Sequence, residues 1–234
     1  MKVTLLVPTL NEIEGMQAVM PRVKREWCDQ IIILDGGSTD STVAYSKAQG
    51  YFVYVQKEPG LRAGYREVLP LIDGDAILTF SPDGNCIPEL IPALVRKMVE
   101  GYDMVIASRY LAGAWSEDDD ALTAFGNWFF TKSINLLYAS RYTDAMGIYR
   151  AYRKQIVYDL GLDRDEGFVA AEMLFRTRLS WEPLLSVRAA KRKLRVAEIP
   201  GTEPARIGGK RKLQPFRWGG AYYFQILREK FVEK

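Results

Sequence analysis

The first half of the chain alternates short apolar runs with longer segments of helical periodicity. The apolar runs are rich in β-branched or aromatic residues and bounded by turn residues, which is typical of strands buried on both faces. These runs cover residues 3–7, 31–34, 51–55, 76–80 and 104–107. The helical segments cover residues 12–26, 41–49, 62–69 and 88–100. This β-α-β-α order predicts an α/β fold with a Rossmann-like, doubly wound and mostly parallel sheet.

The second half is less regular, and no repeat, low-complexity tract or linker separates it from the first. Helices are predicted at 121–139, 167–179 and 218–231, and strands at 148–152 and 195–199. We therefore predict a single domain over residues 1–234. Its expected parts are a nucleotide-binding half, an acceptor half and a C-terminal amphipathic helix, at 1–110, 111–213 and 214–234.

Composition limits the chemistry that the chain can perform. Of its 234 residues 48% are hydrophobic, two are cysteine and none is histidine. At this length one core buries roughly 70–75% of the surface that the unfolded chain exposes, so stability needs no disulfide or structural metal. Without imidazole the chain cannot build a Ser-His-Asp relay or an HExxH zinc helix, which excludes most hydrolases and metalloproteases. Acid–base or metal chemistry must therefore use carboxylates, amides and cations.

Cysteine spacing and hydropathy indicate the compartment. Cys28 and Cys86 lie far apart and outside CxxC spacing, so we expect them to be reduced thiols in a cytosolic fold. No stretch approaches the roughly 18–20 consecutive apolar residues of a membrane span. We therefore expect a cytoplasmic protein.

The charge is unevenly distributed along the chain. The net charge is +3, yet residues 176–217 contain 12 Lys and Arg against 3 Asp and Glu. Such a basic region indicates an anionic partner, either phosphate, nucleic acid or an acidic lipid surface, or else a solvated basic face. Nucleic acid is disfavoured, because the aromatic residues cluster in the flanking helices and are not interleaved with the cations.

Polar residues follow the first, second and fourth predicted strands, whose carboxyl ends meet at the ligand-binding edge of a doubly wound sheet. The three segments read Pro-Thr-Leu-Asn-Glu at 8–12, Asp-Gly-Gly-Ser-Thr-Asp-Ser at 35–41 and Ser-Pro-Asp-Gly-Asn at 81–85. The first two are also consistent with helix capping and an ordinary βα turn. Amides at a helix N-terminus can face an anion, and Asp35 could accept from a ribose hydroxyl or a base N–H. Asp83 and Asn85 offer hard oxygen donors that suit Mg²⁺ or Mn²⁺ carrying a diphosphate.

Five motifs in order resemble one family. The motifs VPTLNE, IIILDGGSTDST, FSPDGNCIPEL, VIASRY and TDAMGIYRAYRK resemble the family 2 glycosyltransferases with the GT-A fold. The resemblance covers roughly residues 3 to 213 and is greatest to the dolichol-phosphate mannose synthase-like and polyprenyl-phosphate sugar transferase branch. It implies a nucleotide site whose candidate residues are Pro8, Asn11, Glu12, Asp35, Ser38 and Asp83.

The metal motif departs from the family pattern at one position. Ser81 stands where the family has the first Asp of DxD, Asp83 stands at the second, and Asn85 stands where the mannose synthases have Gln. In those relatives the second Asp and the amide are metal ligands, so the resemblance implies that Asp83 and Asn85 hold the ion. The change at Ser81 affects expected contacts to the donor and the strength of metal dependence.

Further candidates lie in the second half. Arg109 follows the fifth strand and could clamp a phosphate bidentately, with an ion pair as the alternative. Asp144 and Arg150 fall in a stretch that resembles the family element D-x-x-S-G-F-R, which implies that Asp144 orients acceptor or donor sugar and that Arg150 contributes to the phosphate and acceptor site. Glu172 lies near the position at which other family 2 enzymes have the carboxylate of a general base. The alternative is that it is a glutamate on the surface of a helix.

A basic loop completes the candidate site. Residues 206–213 resemble the R-x-x-G-x-S-K loop of this branch, with Arg206 and Lys212 in register and Arg211 in place of Ser. A flexible Gly-Gly followed by cations can fold over a bound diphosphate and an acceptor phosphate. Arg206 and Lys212 are therefore candidates both for catalysis and for phosphate binding.

These parts predict an inverting, metal-dependent transfer from a UDP- or GDP-sugar to a polyprenyl phosphate. A phosphate acceptor is already an oxyanion and needs no general base, whereas a soluble hydroxyl acceptor would need a carboxylate such as Glu172 or Asp144. A nucleotide-binding regulator without turnover is the non-enzymatic alternative. The aromatic segments at 128–130 and 222–224 could contact a lipid tail or the cytoplasmic membrane face, or could belong to the core.

Overall fold

The computed structural model describes residues 1–208 and 214–232. The described residues form seven strands: β1 (Val3–Thr9), β2 (Gln30–Asp35), β3 (Phe52–Val55), β4 (Ala76–Thr79), β5 (Met104–Ser108), β6 (Arg150–Arg153) and β7 (Val196–Pro200). They also form nine α-helices: α1 (Ile13–Val19), α2 (Thr42–Ala48), α3 (Leu61–Val68), α4 (Ile91–Val99), α5 (Ala121–Tyr138), α6 (Lys154–Asp159), α7 (Val169–Phe175), α8 (Glu182–Lys191) and α9 (Pro215–Arg228).

All seven strands belong to one sheet with the order β3-β2-β1-β4-β6-β5-β7. Every neighbouring pair is parallel except those of β6, which runs antiparallel to both β4 and β5. The predicted mostly parallel α/β sheet is thus confirmed. Because β6 is reversed, its first residue, Arg150, pairs with Thr79 at the end of β4. The segment that precedes β6 therefore meets the loops that follow β1, β2, β4, β5 and β7 at one edge.

Side chains of the central strands alternate between two buried layers, as a pleated strand requires. One layer contains Leu6 and Ile77 with apolar side chains of α3, α5, α6 and α8. The opposite layer contains Leu5 and Leu78 with side chains of α1 and α4. Both faces of the sheet are covered, which explains why its strands appear in the sequence as continuous apolar runs.

Helix boundaries differ from the prediction where local chemistry interrupts a turn. The helix predicted at 12–26 is α1 followed by two 3₁₀ turns, Met20–Arg22 and Arg25–Trp27, since Pro21 lacks the amide donor that a continuing helix needs. The helix predicted at 167–179 ends at Phe175, where Arg176 takes a left-handed backbone conformation with φ 48°. α9 begins at Pro215, three residues before its predicted start.

Two helices, α6 and α8, were not predicted. α8 is buried along eight of its ten residues, so it lacks the polar face that gives a surface helix its periodicity. α9 packs against α5, α7 and α8. No helix in the described part of the chain is long and apolar enough to cross a membrane.

Candidate active site

The loops after β1 and β2 are joined by side-chain hydrogen bonds. Asn11 has a left-handed backbone with φ 55°, and its Oδ1 accepts from the amide of Thr39 at 2.8 Å. The Asn11 amide donates to Ser38 Oγ at 2.8 Å, and the Glu12 amide donates to Thr42 Oγ1 at 3.0 Å. The predicted nucleotide-binding residues Asn11, Glu12 and Ser38 therefore belong to one connected pair of loops.

Asp35 is wholly buried at the end of β2. Its Oδ1 accepts from the amides of Gly37 and Ser38 at 2.9 and 2.7 Å, and its Oδ2 accepts from Thr9 Oγ1 at 3.0 Å and Ser38 Oγ at 2.5 Å. Pro8 lies half-buried in the neighbouring strand β1. In this structure Asp35 holds its own loop, so a nucleotide contact would have to replace one of these bonds. Its role in nucleotide binding stays a prediction.

Asp83 lies under the segment that follows β7. Its Oδ1 accepts from the amide of Asn85 at 3.1 Å, whereas its Oδ2 is paired with Arg206 Nη2 at 2.7 Å. Its carbonyl accepts from the amide of Ile207 at 2.6 Å. Gly84 has φ 97°, and a Cβ there would lie 2.8 Å from Ile207 Cγ1. This close approach of the two segments therefore depends on glycine.

Asp83 and Asn85 fit a divalent ion that arrives with a ligand of its own. Asn85 Oδ1 is buried and accepts no hydrogen bond from any described residue, so it is an oxygen donor in need of a partner. Residues 1–208 and 214–232 contain no cluster of three or more His, Cys, Asp or Glu that could hold a metal ion. An ion here would take its remaining ligands from a diphosphate and water, as Mg²⁺ commonly does.

Arg109 and Asp144 form a buried ion pair at the end of β5. Arg109 Nε and Nη2 donate to the two oxygens of Asp144 at 2.7 and 2.9 Å. Burial acts to raise the pKa of the Asp144 carboxyl, but Arg109 outweighs it and holds that pKa below the ordinary 3.8. Arg109 Nη1 lies 3.8 Å from Asp119 and 3.6 Å from Glu203. The ion-pair alternative thus describes Arg109 in this structure, and its contact with phosphate stays a prediction.

Arg150 requires a correction. It is wholly buried, with Nε donating to the Gly147 carbonyl at 2.7 Å and Nη1 donating to Ser186 Oγ at 2.8 Å and the Glu182 carbonyl at 3.2 Å. Burial lowers the pKa of Arg150. The donors of Arg150 are directed to α8 and to the segment before β6. Arg150 therefore holds these two parts of the chain together beneath the surface of the site and is not exposed to an acceptor phosphate.

Glu172 also lies elsewhere than expected. Its Oε2 pairs with Arg62 Nη2 at 2.9 Å, and its Oε1 accepts from the amide of Leu179 at 3.0 Å. These contacts join α7 to α3, and Glu172 does not line the cavity that contains Asp83. The structure therefore corrects its expected position as a general base. Lys212, the remaining candidate, lies outside the described residues.

Two cavities meet above the sheet edge. The polar cavity has a volume of about 280 Å³, and its lining includes Ser81, Asp83, Asn85, Arg109, Asp118, Glu203 and Arg206. The second is an apolar groove of about 620 Å³ between α5 and α9, whose lining includes Phe125, Gly126, Phe129, Phe130, Trp218 and Tyr223. Arg109, Gly147, Ile148, Glu203 and Trp218 line both. The polar cavity thus continues directly into the apolar groove.

Glu203 is the residue that the sequence interpretation missed. It lies between β7 and α9 with only 17% of its side chain exposed, and burial raises the pKa of its carboxyl. The signal was the last of three glutamates within the basic region 176–217, eight residues after the cluster at 191–195. That signal is weak, because only the fold brings the segment after β7 to the β4 loop.

Comparison with known proteins agrees with this geometry. Residues 4–161 match the family described as Glycosyl transferase family 2. The chain is similar to glycosyltransferase AglJ of Haloferax volcanii, with 27% identity over 231 residues, covering 97% of this chain and 71% of the relative. It is also similar to a dolichyl-phosphate hexose transferase of the same organism, with 25% identity over 226 residues, covering 96% of this chain and 92% of the relative.

A solved structure shares the fold. Glucosyl-3-phosphoglycerate synthase from Mycobacterium tuberculosis, in complex with Mn²⁺, uridine diphosphate (UDP) and glucosyl-3-phosphoglycerate, matches with a TM-score of 0.61 at 20% identity, over 100% of this chain and 81% of that chain. The expected GT-A fold is thereby confirmed. Since the family match spans more than half of the chain, the resemblance carried by its motifs is confirmed as well, and the chain belongs to glycosyl transferase family 2.

Proposed function

We propose that this glycosyltransferase moves a hexosyl group, with inversion, from a nucleotide-sugar to a polyprenyl phosphate. The observation that carries the proposal is the apolar groove between α5 and α9, which opens into the polar cavity at Arg109 and Trp218. A phosphate at that junction would lie beside Arg109, which lines both cavities, while its hydrocarbon chain lies along Phe125, Phe129 and Tyr223. The similarity to a dolichyl-phosphate hexose transferase supports this acceptor.

The donor would lie on the loops after β1, β2 and β4. Asp83 and the unpartnered Asn85 Oδ1 would hold a Mg²⁺ or Mn²⁺ ion, which supplies positive charge for the leaving diphosphate. The solved relative in fold that binds Mn²⁺ and UDP supports such an ion and a UDP-sugar, and a GDP-sugar is the other donor that we considered. On binding, Arg206 would leave Asp83 for the diphosphate.

The reaction follows from these positions. A phosphate oxygen of the acceptor attacks the anomeric carbon, the bond from that carbon to the diphosphate oxygen breaks, and nucleoside diphosphate leaves. Arg206 stabilises the charge that develops on the leaving group, and Arg109, held in place by Asp144, orients the acceptor phosphate. No proton has to be removed, which suits a site without histidine and with Glu172 outside the cavity.

The apolar surface around the groove suits a membrane as the source of the acceptor. Phe125, Trp128 and Phe216 are 60%, 54% and 85% exposed on α5 and α9. Aromatic side chains of this kind partition into the boundary between headgroups and acyl chains. We therefore propose peripheral contact with the cytoplasmic membrane face, through which the groove receives its lipid.

A soluble hydroxyl acceptor is the second candidate. It is favoured by the acidic lining of the polar cavity, where Asp118 and Glu203 lie, because a hydroxyl must give its proton to a carboxylate. The relative in fold, named a glucosyl-3-phosphoglycerate synthase, was solved with glucosyl-3-phosphoglycerate.

Transfer assays separate the two candidates. Radiolabelled UDP- and GDP-hexoses would be offered with Mn²⁺ to a polyprenyl phosphate, to the corresponding polyprenol and to phosphoglycerate. The proposal predicts labelled product in the organic phase with the polyprenyl phosphate alone. Product only in the aqueous phase would contradict it in favour of the hydroxyl acceptor, and the absence of any transfer would favour a regulator that binds nucleotide.

A further inference from the structure

The backbone around Glu203 is fixed to the loop that follows β5. The Glu203 amide donates to the Trp115 carbonyl at 2.9 Å, and the Glu117 amide donates to the Glu203 carbonyl at 2.8 Å. Ser116 and Glu203 form an isolated parallel β-bridge. These bonds clamp the segment after β7 against the loop after β5, so the side chain of Glu203 emerges from a defined point in the wall of the cavity.

The carboxylate of Glu203 contacts three different parts of the site. Its Oε1 accepts from Asn85 Nδ2 at 3.4 Å, its Oε2 accepts from the Ser116 hydroxyl, and the same Oε2 lies 3.6 Å from Arg109 Nη1. Ser116 and Arg109 hold one end of the carboxylate, which leaves the other end to receive the Asn85 amide. Glu203 is thus oriented by partners other than Asn85.

This arrangement decides which way the Asn85 amide faces. A primary amide has one donor side and one acceptor side. With Nδ2 directed to Glu203, Oδ1 must face away from it, and Oδ1 is the buried oxygen to which no described residue donates. The reverse orientation would set Oδ1 against the Glu203 carboxylate, which is repulsive. An oxygen presented in this way, two residues from Asp83, has the chemistry of a ligand for a divalent ion.

We propose that Glu203 is a positioning residue for the divalent ion, acting through Asn85 by holding its amide with Oδ1 toward the ion. The inference rests on the metal dependence in the proposed function. Partners that orient a metal ligand typically contribute 10–100-fold to metal affinity. Glutamine keeps an acceptor oxygen for Asn85 Nδ2, whereas alanine removes it, so the two substitutions at Glu203 have different consequences.

The test measures Mn²⁺ affinity by calorimetry in the presence of UDP, without sugar or turnover. Glu203→Ala is expected to weaken Mn²⁺ binding by about 10–100-fold, and Glu203→Gln to restore most of that loss. UDP affinity in EDTA is not expected to fall in either variant, because removal of the Glu203 charge can only reduce the repulsion of the diphosphate. Glu117→Ala is the matched control, because Glu117 binds Trp115 Nε1 and the Ala205 amide, both at 3.3 Å, on the same pair of segments and is not part of the cavity lining.

A double-mutant cycle with Asn85→Ala shows whether Glu203 acts through Asn85. In the Asn85→Ala background, Glu203→Ala should cause no further loss of Mn²⁺ affinity. An equal loss in both backgrounds, or no loss in either, would overturn the inference. If Glu203→Ala does not fold, Glu203→Met fills the same space without an acceptor and replaces it in the cycle. If the unaltered protein binds UDP without any effect of Mn²⁺, the proposed metal dependence itself fails, which is a different result.

Discussion

In this structure Arg206 pairs with the carboxylate oxygen of Asp83 to which a divalent ion would bind. Its Nη2 lies 2.7 Å from Asp83 Oδ2, and its Nη1 lies 3.7 Å from Glu12 Oε1. An ion that binds Asp83 must displace the guanidinium, which then needs another anion, and a nucleotide diphosphate provides one. We therefore expect Arg206→Ala to bind Mn²⁺ more tightly than the unaltered protein in the absence of nucleotide.

The magnitude follows from the contact that the ion must replace. A hydrogen bond to a charged group contributes about 1.5–3 kcal/mol, and the Arg206 side chain is only 21% exposed, so solvent screens it weakly. Since about 1.4 kcal/mol is tenfold in affinity, Mn²⁺ affinity without nucleotide should rise by about 10- to 100-fold. With UDP present the gain should disappear, because Arg206 of the unaltered protein then contacts the diphosphate and no longer competes for Asp83, whereas the variant lacks that contact.

Calorimetric titration of Mn²⁺ with and without UDP measures both affinities and hence their coupling. Arg22→Ala is the matched control, because Arg22 forms an ion pair of similar length, 2.8 Å, with Glu89 on the exposed surface. It should leave both affinities unchanged. If Arg206→Ala bound Mn²⁺ no more tightly than the unaltered protein, the exchange at Asp83 would be refuted.

Three further predictions concern the buried pair, the groove and α7. Asp144→Asn leaves Arg109 without its buried partner and should cost about 3–5 kcal/mol of unfolding free energy. Because Arg109 holds the pKa of Asp144 below 3.8, the pair contributes fully at neutral pH, and its contribution is lost as pH falls below about 4. Denaturation of both proteins between pH 3 and 7 should therefore show that their difference in stability shrinks only at the acid end. Gly126→Phe should raise KM for a long polyprenyl phosphate at least about tenfold. Residue 126 lies in the groove, where a Cβ would be 3.8 Å from Phe130, and a phenyl ring that displaces two methylenes of the acceptor costs about 1.6 kcal/mol of binding free energy. An unchanged KM would show that the groove does not bind the acceptor. Glu172→Gln should lower kcat in steady-state assays by less than about tenfold. Loss of a general base lowers kcat by about 10²–10⁴-fold, so a decrease of that size would show that Glu172 acts as a general base.

Periodicity predicted the sheet because its strands are buried on both faces, so that runs such as Val3 to Val7 contrast sharply with their flanking turns. It missed α8 for the related reason that a helix buried on all sides has no polar face. Turn residues after the predicted strands indicated that Asp35 and Asp83 lie at the carboxyl edge of the sheet, where the structure places them, while their roles in binding stay predictions.

The contacts across the site could not be predicted in the same way. Glu203 lies 118 residues from Asn85 in the sequence, and Asp144 lies 35 residues from Arg109. No local pattern encodes such pairs. Glu172 was misplaced because position within a motif gives the approximate location of a residue along the chain, whereas the direction of its side chain is decided by the pairing with Arg62 on α3.

The basic C-terminal region must also be reinterpreted. Several of its cations hold α8 to the neighbouring helices: Arg188 pairs with Glu229 at 2.6 Å, Lys191 donates to the Glu229 carbonyl at 2.7 Å, and Lys193 donates to the carbonyls of residues 138 and 139. These charges stabilise the fold and do not line the polar cavity. The excess of Lys and Arg in the sequence therefore overstates the positive charge that an anion would meet among the described residues.

At the cavity itself the balance is acidic. Its lining contains three carboxylates, Asp83, Asp118 and Glu203, and two guanidinium groups, of which Arg109 is already committed to the wholly buried Asp144. A diphosphate entering alone would meet Arg206 and repulsion from the carboxylates, in a cavity where screening is weak. A diphosphate entering with a divalent ion brings the missing charge and a partner for Asp83, and it releases Arg206 to contact the phosphates. We therefore expect ion and nucleotide to bind as a unit, because the ion supplies a partner for Asp83 and the diphosphate supplies one for Arg206.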